Sequence, residues 1–136
     1  MAYLNSNIPA TYAQIRTLLG RLCRFHLWEP NQFGIHKALP FDQARQEYGP
    51  GIKRAYTYKA LNKLIQGSAA DMTKKSMLEL YKEGIVAHIQ VHDELDISVE
   101  DDTKAKRIIE IMESAVELEI PNKVDYESGK NWGDIK

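Results

Sequence analysis

Two short runs of alternating apolar and polar residues flank a link of only three residues, and such a pattern has few ways to fold. Ile85, Ala87, Ile89 and Val91 alternate with Val86, His88, Gln90 and His92; Leu95, Ile97 and Val99 then alternate with Asp96, Ser98 and Glu100. A period of two is the mark of a strand with one buried face. The link, His92-Asp93-Glu94, allows only a tight bend, so a β-hairpin with one apolar and one polar face is expected. Two adjacent acids at such a tip repel each other, and turns favour Gly, Asn or a single Asp. A hard cation such as Mg²⁺ would relieve that repulsion, because it takes carboxylate oxygens and retains waters or phosphates as further ligands. Taken alone, the pair reads better as a solvated acidic turn than as a metal site.

The rest of the chain is organised around helices. The longest helical pattern is expected from about Ile52 to Lys82, with Leu61, Leu64, Ile65, Ser68 and Met72 at helical spacing and Lys59, Asn62, Lys63 and Gln66 polar. Its interior contains Gly67-Ser68-Ala69-Ala70. A helical glycine costs roughly 1 kcal/mol relative to alanine, which is explicable if something must approach the helix closely. Gly84 fits the position just past the helix end. Asp101 or Asp102 is expected to cap a second helix to about Glu119, with Ala105, Ile108, Ile109, Met112 and Val116 as its apolar stripe and Pro121 as its stop. Upstream, Arg16 to Trp28 reads as a strand pair about Gly20, Glu29 to Pro40 as loop, and Asp42 to Tyr48 as a short helix before Gly49. Val124 to Glu127 reads as a last strand and Ser128 to Lys136 as an exposed tail.

Bulk properties exclude several classes. There is no apolar run of about 18 residues, so no membrane span is expected, and the start lacks a signal-peptide pattern. The sequence has a single cysteine, Cys23, which rules out an internal disulfide or a multi-cysteine zinc site and makes the cytoplasm the expected compartment. The net charge of −1 conceals an asymmetry: 12 Lys/Arg against 5 Asp/Glu through Lys82, and 6 against 14 from Glu83 onward. The basic part suits a phosphate backbone and the acidic part a divalent metal; ordinary solvated surface accounts for either equally well. His88 and His92 would lie about 13 Å apart on a strand at roughly 3.3 Å per residue, too far to share one zinc ion in a small hydrolase.

Four segments together carry a resemblance. Gln90-Val91-His92-Asp93-Glu94-Leu95 resembles motif C of the family A DNA polymerases, the class of bacterial DNA polymerase I. Asn62 to Asp71 (NKLIQGSAAD) resembles the family's N-x-x-x-Q-G-[ST]-A-A-D helix, Thr17 to Arg21 its T-x-x-G-R element, and Gly129 to Trp132 its G-x-N-W. They occur in the family's order and cover essentially residues 14 to 136, closest in flavour to phage-encoded members. The resemblance implies an α+β fold: a small antiparallel sheet with the motif C hairpin, packed against a long helix and a second helix, as part of a polymerase palm. Residues 1–136 would be one partial palm, with 1–50 a hairpin and loop region bordering the fingers and 51–136 the helix, catalytic hairpin, second helix and C-terminal strand. Asp93 would be a direct ligand in a two-Mg²⁺ site, Glu94 a supporting carboxylate, and His92 a neighbour of the primer end. Asn62 and Gln66, four apart on one helix face, would contact the minor groove of primer–template DNA. Minor-groove acceptors occur on every correct pair, so amide donors there sense pair shape without selecting sequence. Lys59, Lys63, Arg54 and Arg21 are candidate phosphate contacts, with Lys53 and Arg24 behind them. His88, Gln90, Asp96 and Ser98 would face the DNA. Tyr58 departs from the family pattern, standing where many cellular members have a primer-contacting arginine.

The family's other catalytic aspartate (motif A, D-x-x-x-x-E) and its nucleotide-gripping Lys and Arg (motif B) precede T-x-x-G-R, yet no Asp, Glu or Lys stands before Thr17. Asp42 and Glu47 have the spacing but follow that element; they read as helix-start and surface acids. The resemblance thus implies a C-terminal fragment or split subunit of a DNA-directed DNA polymerase, inactive alone. An N-terminal polypeptide carrying motifs A and B would complete it and bring the dNTP. A truncated piece and a decaying remnant fit the same residues, and the split subunit is the reading adopted. The alternative is a non-catalytic DNA-binding or regulatory remnant, which would keep Asn62, Gln66 and the basic helix without needing Asp93.

Overall fold

The computed structural model describes residues 13–135. These fall into two compact units, the first ending at Ser68 and the second beginning at Ala69. Among the described residues there are three small antiparallel sheets and three α-helices, an α+β architecture consistent with part of a polymerase palm. No helix among them is long and apolar enough to cross a membrane.

In the first unit, β1 (Gln14–Arg16) pairs with β2 (Leu22–Arg24) across a turn in which Gly20 takes φ +87°. Glycine is the residue that adopts this sign without a Cβ penalty. The strand pair expected about Gly20 is therefore present, but it stops at Arg24. Trp28 belongs instead to β3 (Leu27–Pro30), the centre of a second sheet with β4 (Leu39–Pro40) and β5 (Ile52–Arg54) on either side. The expected loop from Glu29 to Pro40 shrinks accordingly. Helix α1 (Phe41–Tyr48) packs on this sheet, with Phe41 edge-on to Trp28 at 5.0 Å between ring centroids, and ends at Gly49, φ +75°. Ala13, Phe25 and Ala60 form a small core with Ile15 against it.

The long helix begins later than its periodicity suggests. Ile52, Lys53 and Arg54 pair with Pro30, Glu29 and Trp28 as β5, and Lys53 meets Glu29 at 3.8 Å. Tyr56 then takes φ +62°, in the left-handed region, which no residue inside a right-handed helix can adopt. A 3₁₀ turn (Thr57–Lys59) leads into α2 (Ala60–Lys82). The left-handed tyrosine costs roughly 1–3 kcal/mol, which the surrounding structure must offset.

In the second unit Leu80, 1 % exposed at the end of α2, packs with Ile108 and Ile111 of α3 (Asp102–Ser114). Ile85, Leu95, Ile97 and Met112 lie against this cluster, so the base of the hairpin rests on both helices. Asp101 caps α3 by accepting from Lys104 N–H at 2.8 Å. Helix α3 ends at Ser114 rather than Glu119, and the Ser114 hydroxyl donates back to the Glu110 carbonyl at 2.7 Å. Such back-bonding competes with the helical ladder. Ile111, not Ile109, joins the buried stripe. No strand forms at Val124 to Glu127; Val124 N–H donates instead to the Glu113 carboxylate at 3.2 Å, a side-chain partner in place of a ladder. The tail carries a 3₁₀ turn (Trp132–Asp134).

Candidate functional site

The hairpin is shorter and differently registered than alternation implies. Strand β6 (Ile89–Val91) pairs with β7 (Glu94–Asp96), placing Val91 opposite Glu94, Gln90 opposite Leu95 and Ile89 opposite Asp96. The link is thus His92-Asp93 alone, and Glu94 belongs to the strand. Opposed residues share a face, and a one-residue change of register moves every side chain to the other one. Ile89 and Val91 accordingly share a face with Asp96 and Glu94, while Gln90 shares one with Leu95. The expected separation into one apolar and one polar face does not hold, and Asp96 is not on the side of Gln90. His88 N–H also donates to the Asp96 carbonyl, at 2.8 Å. His88 and Ile89 thus both meet Asp96, the two-against-one count of a bulge, a feature that re-aims side chains.

The tip itself is built with care. His92 has φ +53°, the sign that the first residue of a two-residue hairpin link requires. A histidine there is less favourable than glycine by about 1–2 kcal/mol. The Gln90 side-chain amide donates to the His92 carbonyl at 2.8 Å and pins the bend. His92, Asp93 and Glu94 are all exposed. Among the described residues, neither carboxylate has an ion-pair or hydrogen-bond partner. They offer a pair of hard oxygen donors, suited to Mg²⁺ rather than to a thiophilic metal. No third His, Cys, Asp or Glu gathers with them among the described residues. Water, substrate phosphate or another carboxylate would have to fill the remaining positions.

The second cluster lies in the first unit, where two of the sequence segments dock on one another. Leu18 N–H donates to Ser68 Oγ at 2.9 Å, and Arg21 Nη2 donates to the Gly67 carbonyl at 2.8 Å. A Cβ added to Gly67 would stand 2.8 Å from Thr17 Cγ2. The close approach foreshadowed by the helical glycine is therefore the turn that begins at Thr17, within this chain. Arg21, singled out as a phosphate contact, has its guanidinium on the helix backbone. Arg54 is also engaged: it donates to the Phe25 carbonyl and stacks 4.7 Å over the Trp28 ring. Burial lowers its pKa from the usual guanidinium value. Asn62, Lys63 and Gln66 are exposed on α2, as is Lys59 in the turn before it. Lys59 Nζ sits 5.4 Å from the Tyr56 ring centroid and 5.6 Å from that of Tyr58, and Lys63 Nζ lies 5.6 Å over Phe25. Sequence reasoning places Ser68 only in the helical pattern, without its contact to the Thr17 turn, and does not single out Tyr56. The small residue in the glycine-rich stretch is the signal for Ser68; the backbone sign at Tyr56 leaves none.

Comparison with known proteins follows the same residues. A family model described as DNA polymerase family A matches residues 10–134. A DNA-directed DNA polymerase of Pseudomonas phage M6 is 38% identical over 119 residues, covering 88% of this chain and 15% of that protein. DNA polymerase I of Bacillus caldotenax is 43% identical over 86 residues, covering 57% of this chain and 10% of that protein. DNA polymerase I, thermostable, of Thermus filiformis is 36% identical over 92 residues, covering 62% and 11%. The chain thus spans a small share of the length of these relatives. With the match running through the docked Thr17 turn, the glycine-bearing helix and the acidic hairpin tip alike, the chain belongs to DNA polymerase family A.

Proposed function

We propose that this chain contributes one part of the polymerase site of a DNA-directed DNA polymerase: a metal-binding carboxylate and a set of primer–template contacts. The observation that carries the reading is the pinned hairpin tip, which holds Asp93 out to solvent beside Glu94 with no competing partner among the described residues. The bound Mg²⁺ pair would activate the primer 3′-hydroxyl and neutralise charge on the phosphate in flight. Asp93 is the direct ligand, Glu94 steadies the site electrostatically, and His92, fixed by its backbone and by Gln90, borders the primer end. Asn62 and Gln66 face the minor groove, with Lys59 and Lys63 on phosphates. Arg21 and Arg54 act as positioning residues that hold the turn and the sheet beneath that face. Motif A and motif B come from a further stretch of polypeptide, which also brings the dNTP; the small share of each relative's length that this chain covers supports that reading.

The test is reconstitution. The chain is combined with a polypeptide bearing motifs A and B of the family, and primer extension is followed with Mg²⁺. Extension should require both polypeptides, cease on chelation with EDTA and be abolished by Asp93→Ala. Glu94→Gln should lower it by roughly 10- to 100-fold, the usual consequence of disturbing a group that supports a metal ligand. Extension indifferent to Asp93 would sink the catalytic role. DNA binding without any metal dependence of activity would assign the chain as a non-catalytic DNA-binding segment.

A further inference from the structure

We propose that Tyr58, Tyr56 and Lys59 form a cradle for an unpaired nucleotide of a DNA strand, its base stacked on Tyr58 and its flanking phosphates on Lys59 and Lys63. The choice of DNA rests on the polymerase reading above; the cradle itself requires no metal.

Three observations meet at this turn. Tyr58 is 77 % exposed, so most of its ring surface is open to a ligand. The Lys59 ammonium, itself exposed, lies within cation–π reach of both tyrosine rings, at 5.4 and 5.6 Å. Tyr56 takes a left-handed backbone, and Lys59 N–H donates to the Tyr56 carbonyl at 3.0 Å, locking the turn that sets the rings about the ammonium. Strained backbone at a non-glycine residue persists only where the surrounding structure holds it, and such residues cluster at ligand-binding sites.

The surroundings suit a strand. Lys59, Asn62, Lys63 and Gln66 recur at i, i+3, i+4 and i+7, which places them along one face leading away from the rings. No Asp or Glu occurs between Glu47 and Asp71, so nothing in that stretch repels a phosphate. Exposed aromatics beside a row of cations are the elements of single-strand binding: every base has a π-face to stack, and every linkage has a charge to neutralise.

The test uses the full chain in EDTA, with fluorescence anisotropy of two labelled strands of about eight nucleotides, within the usual single-strand site size. One is oligothymidylate; the other is an abasic strand of equal length, with phosphates but no bases. The wild-type chain should bind oligothymidylate more tightly. Tyr58→Ala should weaken that binding by roughly 5- to 150-fold, the range of a stacked base, and erase the preference over the abasic strand. Tyr58→Phe should keep it. Lys59→Gln should weaken both strands and reduce the slope of log affinity against log salt by about 0.7, one phosphate on a single strand. Equal wild-type binding of the two strands, no binding of either, or a preference that survives Tyr58→Ala would overturn the proposal. Because no metal is present, failed primer extension with this preference intact counts against the polymerase reading alone, and the converse result counts against the cradle alone.

Discussion

At the scale of single residues, Gly67 has little freedom to change. Helix propensity alone would make Gly67→Ala stabilising by roughly 1 kcal/mol. The new Cβ would instead stand 2.8 Å from Thr17 Cγ2. Thr17 cannot simply turn away, because its Oγ1 accepts from Arg21 N–H at 3.0 Å. Overpacking of this kind costs about 1–3 kcal/mol. We therefore expect Gly67→Ala to destabilise the chain in urea unfolding. Adding Thr17→Ser, which removes Cγ2 and keeps the hydroxyl, should recover the loss and reveal the propensity gain. An Ala variant more stable than wild type would show that the turn does not bear on the helix.

At the scale of elements, Arg107 of α3 clasps Glu83, the residue just past the end of α2, donating through Nε at 3.0 Å and through Nη2 to the other Glu83 oxygen. These hydrogen bonds hold the Glu83 carboxyl below its ordinary range and raise Arg107 correspondingly. The folded chain thus takes up the Glu83 proton less readily than the unfolded chain does. The clasp contributes fully above the ordinary carboxylate range and is lost as pH falls through the depressed folded value. Amide exchange in α3, corrected for intrinsic rates, should accelerate on acidification, and Arg107→Gln should remove the part of that change owed to Glu83. How much of each element was legible in the sequence depended on how local its cause is. Helix α1 and the cap of α3 follow from Gly49 and Asp101, and the acids of the tip from their place between two strands. The start of α2 was obscured because Ile52 to Arg54 owe their extended form to β3, and Tyr56 its backbone sign to no neighbour in sequence. The engagement of Arg54 depends on Phe25 and Trp28, which the fold brings in from afar. The offset of the hairpin faces turned on whether the link held two residues or three, a count that alternation alone leaves open.

Over the whole molecule, charge and exposed apolar surface point to an associating chain. Leu61 and Ile65 are 68 % and 59 % exposed, one helical turn apart, and Val86 and Tyr81 are similarly open. The basic stretch through Lys82 and the acidic stretch after it give two copies complementary charge. In sedimentation velocity the isolated chain should self-associate with rising concentration, and Leu61→Gln with Ile65→Gln should shift it toward monomer; a wild-type chain monomeric throughout would contradict this. The hairpin link has a consequence of another kind. Because two residues bridge β6 and β7, an inserted residue has only two places to go. Either the link grows to three residues, which asks for a glycine-like residue in the left-handed position, or the register slips and carries Leu95 out of its packing against the helices, whereas replacing the link residues in kind would leave that packing in place. Gain and loss of single codons at this bend should therefore be tolerated far less well than point substitution, and a library that varies both would separate the two tolerances directly.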